Sequence, residues 1–182
     1  VRPYALHVVS SLPEPTPIPT IEVTANGKAE LVRSFVQREG EKGKRTHCLS
    51  VGSPEDIHYT LDLNRGSLLQ FWKGGFANVT EMWYERGEPQ ILHPMGAAIT
   101  TQGQTDIAIL NDPNAAWPDS TTGLIFKGYR LNGTGIPTVT YRTGGVDITD
   151  EIIPDNGGLT RTINGNLANA LSLIHISQGI VR

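Results

Sequence analysis

The chain has 182 residues, with 15 Lys plus Arg against 18 Asp plus Glu and a formal net charge of −3. This length suits one domain with a substantial hydrophobic core, and 38% hydrophobic against 18% charged residues is too apolar a composition for a disordered chain. The acidic balance argues against a nucleic-acid partner held mainly through phosphates. No apolar run approaches the length of a membrane span.

The region of residues 1–20 is predicted to be an N-terminal strand and a linker, because four prolines occupy every second position from 13 to 19. Residues 21–182 are predicted to form one domain. The chain begins at Val1, and the strand-like segment Leu171–Ile176 comes close to the last residue. We therefore expect the sequence to be a fragment of a larger polypeptide.

Short alternating segments bounded by Gly, Asn, Asp and Pro follow one another through the domain. The clearest is a hairpin in which Ile57–Asp62 alternates, Asn64–Gly66 turns and Leu68–Trp72 returns. Strands at this spacing predict an all-β fold, an antiparallel β-sandwich with a dozen or so strands and little helix. A mutarotase or supersandwich type is compatible with the pattern. The segment Asn78–Trp83 can be a further strand or irregular.

The predicted core joins the large apolar residues of this hairpin to two later strands. In a regular strand Leu61 and Leu63 share one face, and so do Leu69 and Phe71. The residues predicted to be buried are Leu61, Leu63, Leu69, Phe71, Phe126 and Val139.

The lone cysteine, Cys48, permits no intrachain disulfide and no multi-cysteine metal site, and the C-x-x-C-H run that attaches haem c is absent. We interpret Cys48 as a buried apolar side chain in a strand. A thiolate pair with His47 is disfavoured, because neighbouring residues of a strand point in opposite directions. The five histidines show no ligand spacing, so no metal site is predicted, and His58 is interpreted as a satisfied or surface side chain.

The segment Phe71–Pro89 concentrates aromatic rings and carboxylates. Flat rings stack on the C–H surfaces of sugars, and carboxylates accept hydrogen bonds from their hydroxyl groups. One of the alternating residues Phe71 and Trp72 should face away from the core. A loop tryptophan further along can also anchor a ligand. The candidate ligand-binding residues are Trp72, Glu81, Trp83, Glu85, Arg86 and Trp117. The alternative is that the rings fill the core while the charges form solvated ion pairs.

Several runs of this sequence together resemble a known β-rich module of large secreted or periplasmic bacterial proteins. They are Ser50–Phe76, Thr80–Gln90, Phe126–Leu131, Gly135–Tyr141 and Leu159–Thr162. In those proteins the module accompanies a c-type cytochrome domain and often sorbosone-dehydrogenase-like or 3-keto-disaccharide-hydrolase-like domains. The resemblance implies an extracytoplasmic β-sandwich accessory module with no cofactor of its own, haem c belonging to a partner domain. It assigns no catalytic residue.

Two classes of function follow. The first is a non-catalytic module that binds a glycan or docks a c-type cytochrome or another domain of the same large protein. The second is a carbohydrate-active enzyme of sandwich fold, which uses Glu81, Glu85 or a histidine as acid and base. A deep pocket lined by titratable groups would favour the enzyme, and an exposed aromatic surface would favour the module.

Overall fold

The computed structural model describes residues 16–84, 89–110, 112, 114–118, 123–155 and 157–165, which form twelve strands and one helical turn. The elements are β1 (Glu22–Val23), β2 (Glu30–Val36), β3 (Arg45–Gly52), β4 (Ile57–Asp62), β5 (Ser67–Lys73), β6 (Gly75–Asn78), α1 (Thr80–Trp83), β7 (His93–Met95), β8 (Ala98–Thr100), β9 (Ile125–Leu131), β10 (Pro137–Thr143), β11 (Val146–Asp155) and β12 (Gly158–Gly165). The all-β prediction is confirmed. No helix in these ranges has the length and apolar character that crossing a membrane requires.

The strands form three sheets, and every pair of neighbouring strands within them is antiparallel. The five-stranded sheet has the order β2-β3-β4-β5-β8, the four-stranded sheet β12-β11-β10-β9, and the three-stranded sheet β1-β6-β7. The predicted hairpin is the pair β4–β5 at the centre of the five-stranded sheet. Residues 16–20, at the end of the predicted linker, are exposed and contain no strand. The rest of the predicted N-terminal strand and linker, and the segment Leu171–Ile176, lie outside the described residues.

The larger core lies between the five-stranded and four-stranded sheets. Antiparallel strands alternate inward and outward side chains, and the inward ones of the two sheets meet here. From the first sheet come Leu49, Tyr59 and Leu61, and from the second come Val139 and Ile152, all 1% exposed or less. This packing makes the fold a β-sandwich.

The opposite face of the five-stranded sheet is covered as well. Trp72 of β5 packs there with Phe76 of β6 and with Met82 of α1, in a second cluster that we call the smaller core. All six residues of β4 are therefore buried, although alternation in sequence suggested a strand with one exposed face. Gly52 belongs to the same contact, since a Cβ at this position would lie 2.5 Å from the Phe76 ring.

The predicted core residues are found inside the protein. Four of them are fully buried, and Phe71 and Phe126 pack half-buried against the larger core. The prediction that Leu69 and Phe71 share a face is wrong. A β-bulge in the β4–β5 pairing shifts the register between Thr60 and Leu61, so Leu69 packs with Val36 and Cys48 instead.

Two buried tyrosines provide a matched test of this core. The Tyr59 hydroxyl donates a hydrogen bond to the Ile152 carbonyl at 2.9 Å, whereas no described residue hydrogen-bonds the buried Tyr141 hydroxyl. We expect Tyr59→Phe to lower the free energy of unfolding by about 1–2 kcal/mol, because it removes a satisfied buried bond. Tyr141→Phe should be neutral or stabilising. Urea denaturation of both variants checks this, and equal losses would contradict it.

Candidate functional site

The helical turn α1 holds one large aromatic ring in solvent. The turn begins where the Asn78 side chain accepts a hydrogen bond from the Thr80 backbone N–H at 2.9 Å. The Thr80 hydroxyl accepts another from the Ile21 N–H at 2.8 Å, which fastens α1 to the strand β1 region. Met82 points into the smaller core, whereas Trp83 is 54% exposed. The ring of Trp83 is thus presented on an anchored turn.

A carboxylate and an imidazole lie beside this turn. Glu81 Oε1 is 3.1 Å from Nε2 of His93, and both side chains are nearly half exposed. His93 is paired with Asn78, which is paired with Glu22, so these three side chains share the outer face of the three-stranded sheet. We name the set Glu22, Asn78, Glu81, Trp83 and His93 the α1 surface.

Glu81 and Trp83 leave the turn on opposite flanks. Successive residues of a helix are about 100° apart, so the two side chains lie on either side of the buried Met82. A ligand stacked on Trp83 therefore reaches Glu81 only by lying across the side of the turn that faces solvent, opposite Met82. The arrangement offers an aromatic face on one side, and hydrogen-bond donors and acceptors on the other.

Trp72, a candidate ligand contact from the sequence, is buried, as in the alternative in which the rings fill the core. Its side chain is 2% exposed, and its indole N–H donates to the carbonyls of Gly75 and Phe76 at 3.0 and 2.9 Å. The Phe76 ring is stacked parallel to it at a centroid distance of 6.1 Å. Because both faces of β5 are covered, neither Phe71 nor Trp72 turns fully to solvent. The Trp72 ring has no free face on which a sugar could stack.

The remaining predicted site residues lie elsewhere. Trp117 is half-buried, and its indole N–H donates to the Thr105 carbonyl at 2.8 Å, which fixes the ring on its own loop. Glu85 and Arg86 lie outside the described residues. The structure therefore places Glu81 and Trp83 on opposite flanks of the exposed turn α1, and Trp72 in the core, in the same cluster as Met82.

His93 was missed as a candidate from the sequence. It is 12 residues beyond Glu81, and only the pairing of β6 with β7 brings the two side chains together. No local spacing could have signalled that contact. Within the ranges that the structure describes, no group of three or more His, Cys, Asp or Glu is placed to hold a metal ion.

Cys48 is fully buried, which confirms its interpretation as a core side chain. Burial raises the pKa of the Cys48 thiol to about 12, and the nearby carboxylate of Asp62 acts in the same direction. The thiol donates a weak hydrogen bond to the Arg45 carbonyl at 3.4 Å. A thiol in this environment remains protonated near neutral pH and is a poor nucleophile.

His58 is buried and satisfied on both ring nitrogens. Nδ1 accepts a hydrogen bond from the Ser53 N–H at 3.0 Å, so Nε2 carries the proton and donates to the Gly74 carbonyl at 2.7 Å. Burial lowers the pKa of the imidazole, although the bond to Gly74 and the charge of Asp56 oppose this shift. The ring is a structural element of the smaller core, where it lies beside Trp72.

The lowered pKa of His58 predicts a pH dependence of stability. Below its ordinary pKa of about 6.5 the unfolded state binds more protons than the folded state, so the free energy of unfolding falls as the pH falls. We expect this loss between about pH 7.5 and pH 5.5 to be smaller in His58→Gln than in the wild type. Urea denaturation at both pH values measures it. Equal pH slopes in the two proteins would show that His58 does not contribute.

Comparison with known proteins gives no relative from which a function could be transferred. No protein-family model, no curated protein and no solved structure matches this chain.

Proposed function

We propose that this chain is a non-catalytic β-sandwich accessory module that binds a glycan through the α1 surface. The observation that carries the proposal is the exposed Trp83 ring, held on a turn that Met82 and two side-chain hydrogen bonds fix to the body of the protein. An aromatic ring that is already fixed loses little conformational entropy on binding. Such a ring is also the group that stacks on the C–H face of a sugar.

The polar groups of the α1 surface complement the ring. Glu81 and Glu22 can accept hydrogen bonds from sugar hydroxyl groups, and Asn78 and His93 can accept or donate them. A single stacked ring with a few exposed polar partners gives weak binding, which is useful where several modules of one protein act together. Within the described residues, the side chains of Trp83, Glu81 and His93 are about half exposed rather than enclosed, and this favours a binding module that engages part of a longer chain.

The wider setting belongs to the same proposal. The module would be part of a periplasmic or secreted protein that processes carbohydrate or carries a c-type cytochrome domain, with haem c held by that partner domain. The support is the resemblance of the sequence runs given above. A module that docks such a domain instead of a glycan would also be a non-catalytic accessory module.

A second candidate function rests on the contact between Glu81 and His93. A carboxylate 3.1 Å from an imidazole can hold the ring in one orientation, as acid–base catalysis requires. Both groups are open to water, so the pair lacks the low-dielectric surroundings that make such chemistry efficient. The catalytic alternative predicts turnover of a glycan that is lost in Glu81→Gln and His93→Gln.

The test is a glycan array followed by calorimetric titration of the best ligand. We expect Trp83→Ala to weaken binding about tenfold or more, because it removes both the stacked ring and its buried area. Tyr129→Ala, at an exposed aromatic on β9, is the matched control and should bind as the wild type does.

Three outcomes distinguish the readings. Binding that Trp83→Ala leaves unchanged would exclude the α1 surface. The absence of any glycan bound by the wild type would contradict the glycan proposal and leave the docking role. Product release from the array ligands, measured by chromatography and abolished in Glu81→Gln, would replace the module with the enzyme.

A further inference from the structure

The strand β9 forms an open edge of the four-stranded sheet. Among the described residues β9 pairs only with β10. The Asn132 N–H donates to the Ile136 carbonyl, and antiparallel strands alternate hydrogen-bonded and non-hydrogen-bonded pairs. Arg130 is therefore in a bonded pair with Thr138, whereas the backbone groups of Tyr129 and Leu131 point away from β10. The edge offers donors and acceptors to another strand.

The side chains along this edge are apolar and basic. Ile125, Tyr129 and Leu131 are 55%, 37% and 54% exposed, and Lys127 and Arg130 between them are exposed too. Three of the large exposed hydrophobic side chains of the described protein thus lie on one seven-residue strand. β9 itself carries no carboxylate.

The surroundings of β9 add one further cation. Arg33 of the neighbouring edge strand β2 lies with its guanidinium carbon 5.9 Å from the centre of the Phe126 ring. Two carboxylates of the four-stranded sheet lie near this edge. Asp147 interacts with Lys127 but forms its close ion pair with Arg142 at 2.6 Å. Glu151 lies across Thr138 from Arg130 and accepts a hydrogen bond from the Thr138 hydroxyl at 2.9 Å. Glu30 also belongs to β2, but it alternates with Leu31, which packs against the larger core. The Glu30 side chain therefore points to the other face of the five-stranded sheet from Leu31 and Arg33. β9 itself therefore carries two cations and no carboxylate on a protein of net negative charge.

We infer that β9 is a docking edge for an extended segment of another protein that alternates acidic and apolar residues. Strand addition would use the outward backbone groups of Tyr129 and Leu131 for main-chain hydrogen bonds. Apolar side chains of the partner would cover Tyr129 and Leu131, and its carboxylates would meet Lys127 and Arg130. Specificity then comes from charge, and the main-chain bonds hold the segment in register.

The same features disfavour a second copy of this strand as the occupant. Two β9 strands would bring Lys127 and Arg130 of both copies to one seam, which like charges destabilise. The bulge at Lys127, where Gly128 and Phe126 pair with consecutive residues of β10, also limits a regular ladder to residues 128–131. Bulges and charged side chains on an edge strand hinder its pairing with the edge strands of other molecules. An acidic strand would neutralise the cations of β9 and so remove the second obstacle.

The experiment uses the full chain labelled with ¹⁵N and two synthetic peptides of about seven residues. One alternates Glu with Val, and the other alternates Lys with Val. We expect the acidic peptide to shift the amide signals of Tyr129 and Leu131, and to bind at least tenfold more tightly than the basic peptide. In Lys127→Glu/Arg130→Glu this preference should reverse.

Lys42→Glu/Lys73→Glu is the control, because it makes the same change of net charge at two exposed lysines away from β9. This variant should keep the preference of the wild type. Equal binding of both peptides, shifts confined to other strands, or no shift because β9 is already covered would each overturn the inference. So would β9 shifts that depend on protein concentration without peptide, since they would identify a second copy as the occupant. Trp83→Ala should leave peptide binding unchanged, which separates this test from that of the glycan proposal.

Discussion

Replacing Arg161 with Met is expected to lower the free energy of unfolding by about 3–5 kcal/mol, the usual loss when one partner of a buried ion pair is removed. The Arg161 side chain is 9% exposed and that of Asp150 is fully buried. Two parallel hydrogen bonds of 2.9 and 2.8 Å join them. Without the guanidinium, the carboxylate of Asp150 would keep its burial and lose its counter-charge.

The loss should extend beyond that pair, because Arg161 joins three parts of the protein. It donates to the Gly66 carbonyl in the β4–β5 turn at 2.7 Å, and to Asp106 at 2.6 Å. Asp106 in turn accepts from the backbone N–H of Leu68 at 2.9 Å. The side chain therefore ties the four-stranded sheet to the central hairpin and to the loop before Leu110.

Urea denaturation of three variants tests this account. Arg161→Lys should also lose stability, since an ammonium cannot supply the planar fork that binds Asp150 and reaches Gly66. Arg142→Met is the matched control, because Arg142 makes a similar pair with Asp147 on the exposed surface, where ion pairs contribute little. A similar stability for Arg161→Met and Arg142→Met would contradict the account.

The hairpin of β4 and β5 could be predicted from the sequence because its signals are local. Three signals lie within 16 residues and support one another: the alternation over Ile57–Asp62, the turn at Asn64–Gly66 and the return to Trp72. The burial of Cys48 was predictable for a related reason, since a small apolar residue inside a strand is most often in the core.

What the sequence could not reveal depends on distant contacts. Whether β5 has one covered face or two depends on a small sheet assembled from Glu22–Val23, Gly75–Asn78 and His93–Met95, which no local pattern joins. The turn α1 has four residues, too few for a helical period to be visible. The bulge that separates Leu69 from Phe71 adds one residue to a regular alternation, and only the pairing partner shows where.

The candidate site was therefore predicted in part. Exposed aromatic and acidic groups were expected in the segment Phe71–Pro89, and Trp83 and Glu81 are found on the surface there. Trp72 was a candidate because one of the alternating residues Phe71 and Trp72 was expected to face away from the core of a sandwich. That reasoning did not foresee a third layer. The covering layer converts this tryptophan from a candidate ligand contact into a core residue.

Trp72→Ala is accordingly expected to destabilise the protein by about 3–5 kcal/mol, the range for truncating a large buried aromatic side chain. The loss has two sources. The ring fills the space between β5 and the three-stranded sheet, where it contacts His58 and Phe76. Its N–H also satisfies the carbonyls of Gly75 and Phe76, which close the tight connection between β5 and β6.

Two further variants separate these sources and provide the control. Trp72→Phe keeps most of the apolar volume but removes the N–H donor, so we expect an intermediate loss of about 1–3 kcal/mol. Trp83→Ala removes a ring that is 54% exposed and should change the free energy of unfolding by no more than about 0.5 kcal/mol. Urea denaturation followed by circular dichroism measures all three. If Trp72→Ala were as stable as Trp83→Ala, the three-stranded sheet could not cover β5 as described. If Trp72→Ala is the less stable of the two variants, as we expect, then of these two tryptophans only Trp83 can be truncated to test binding without unfolding the smaller core.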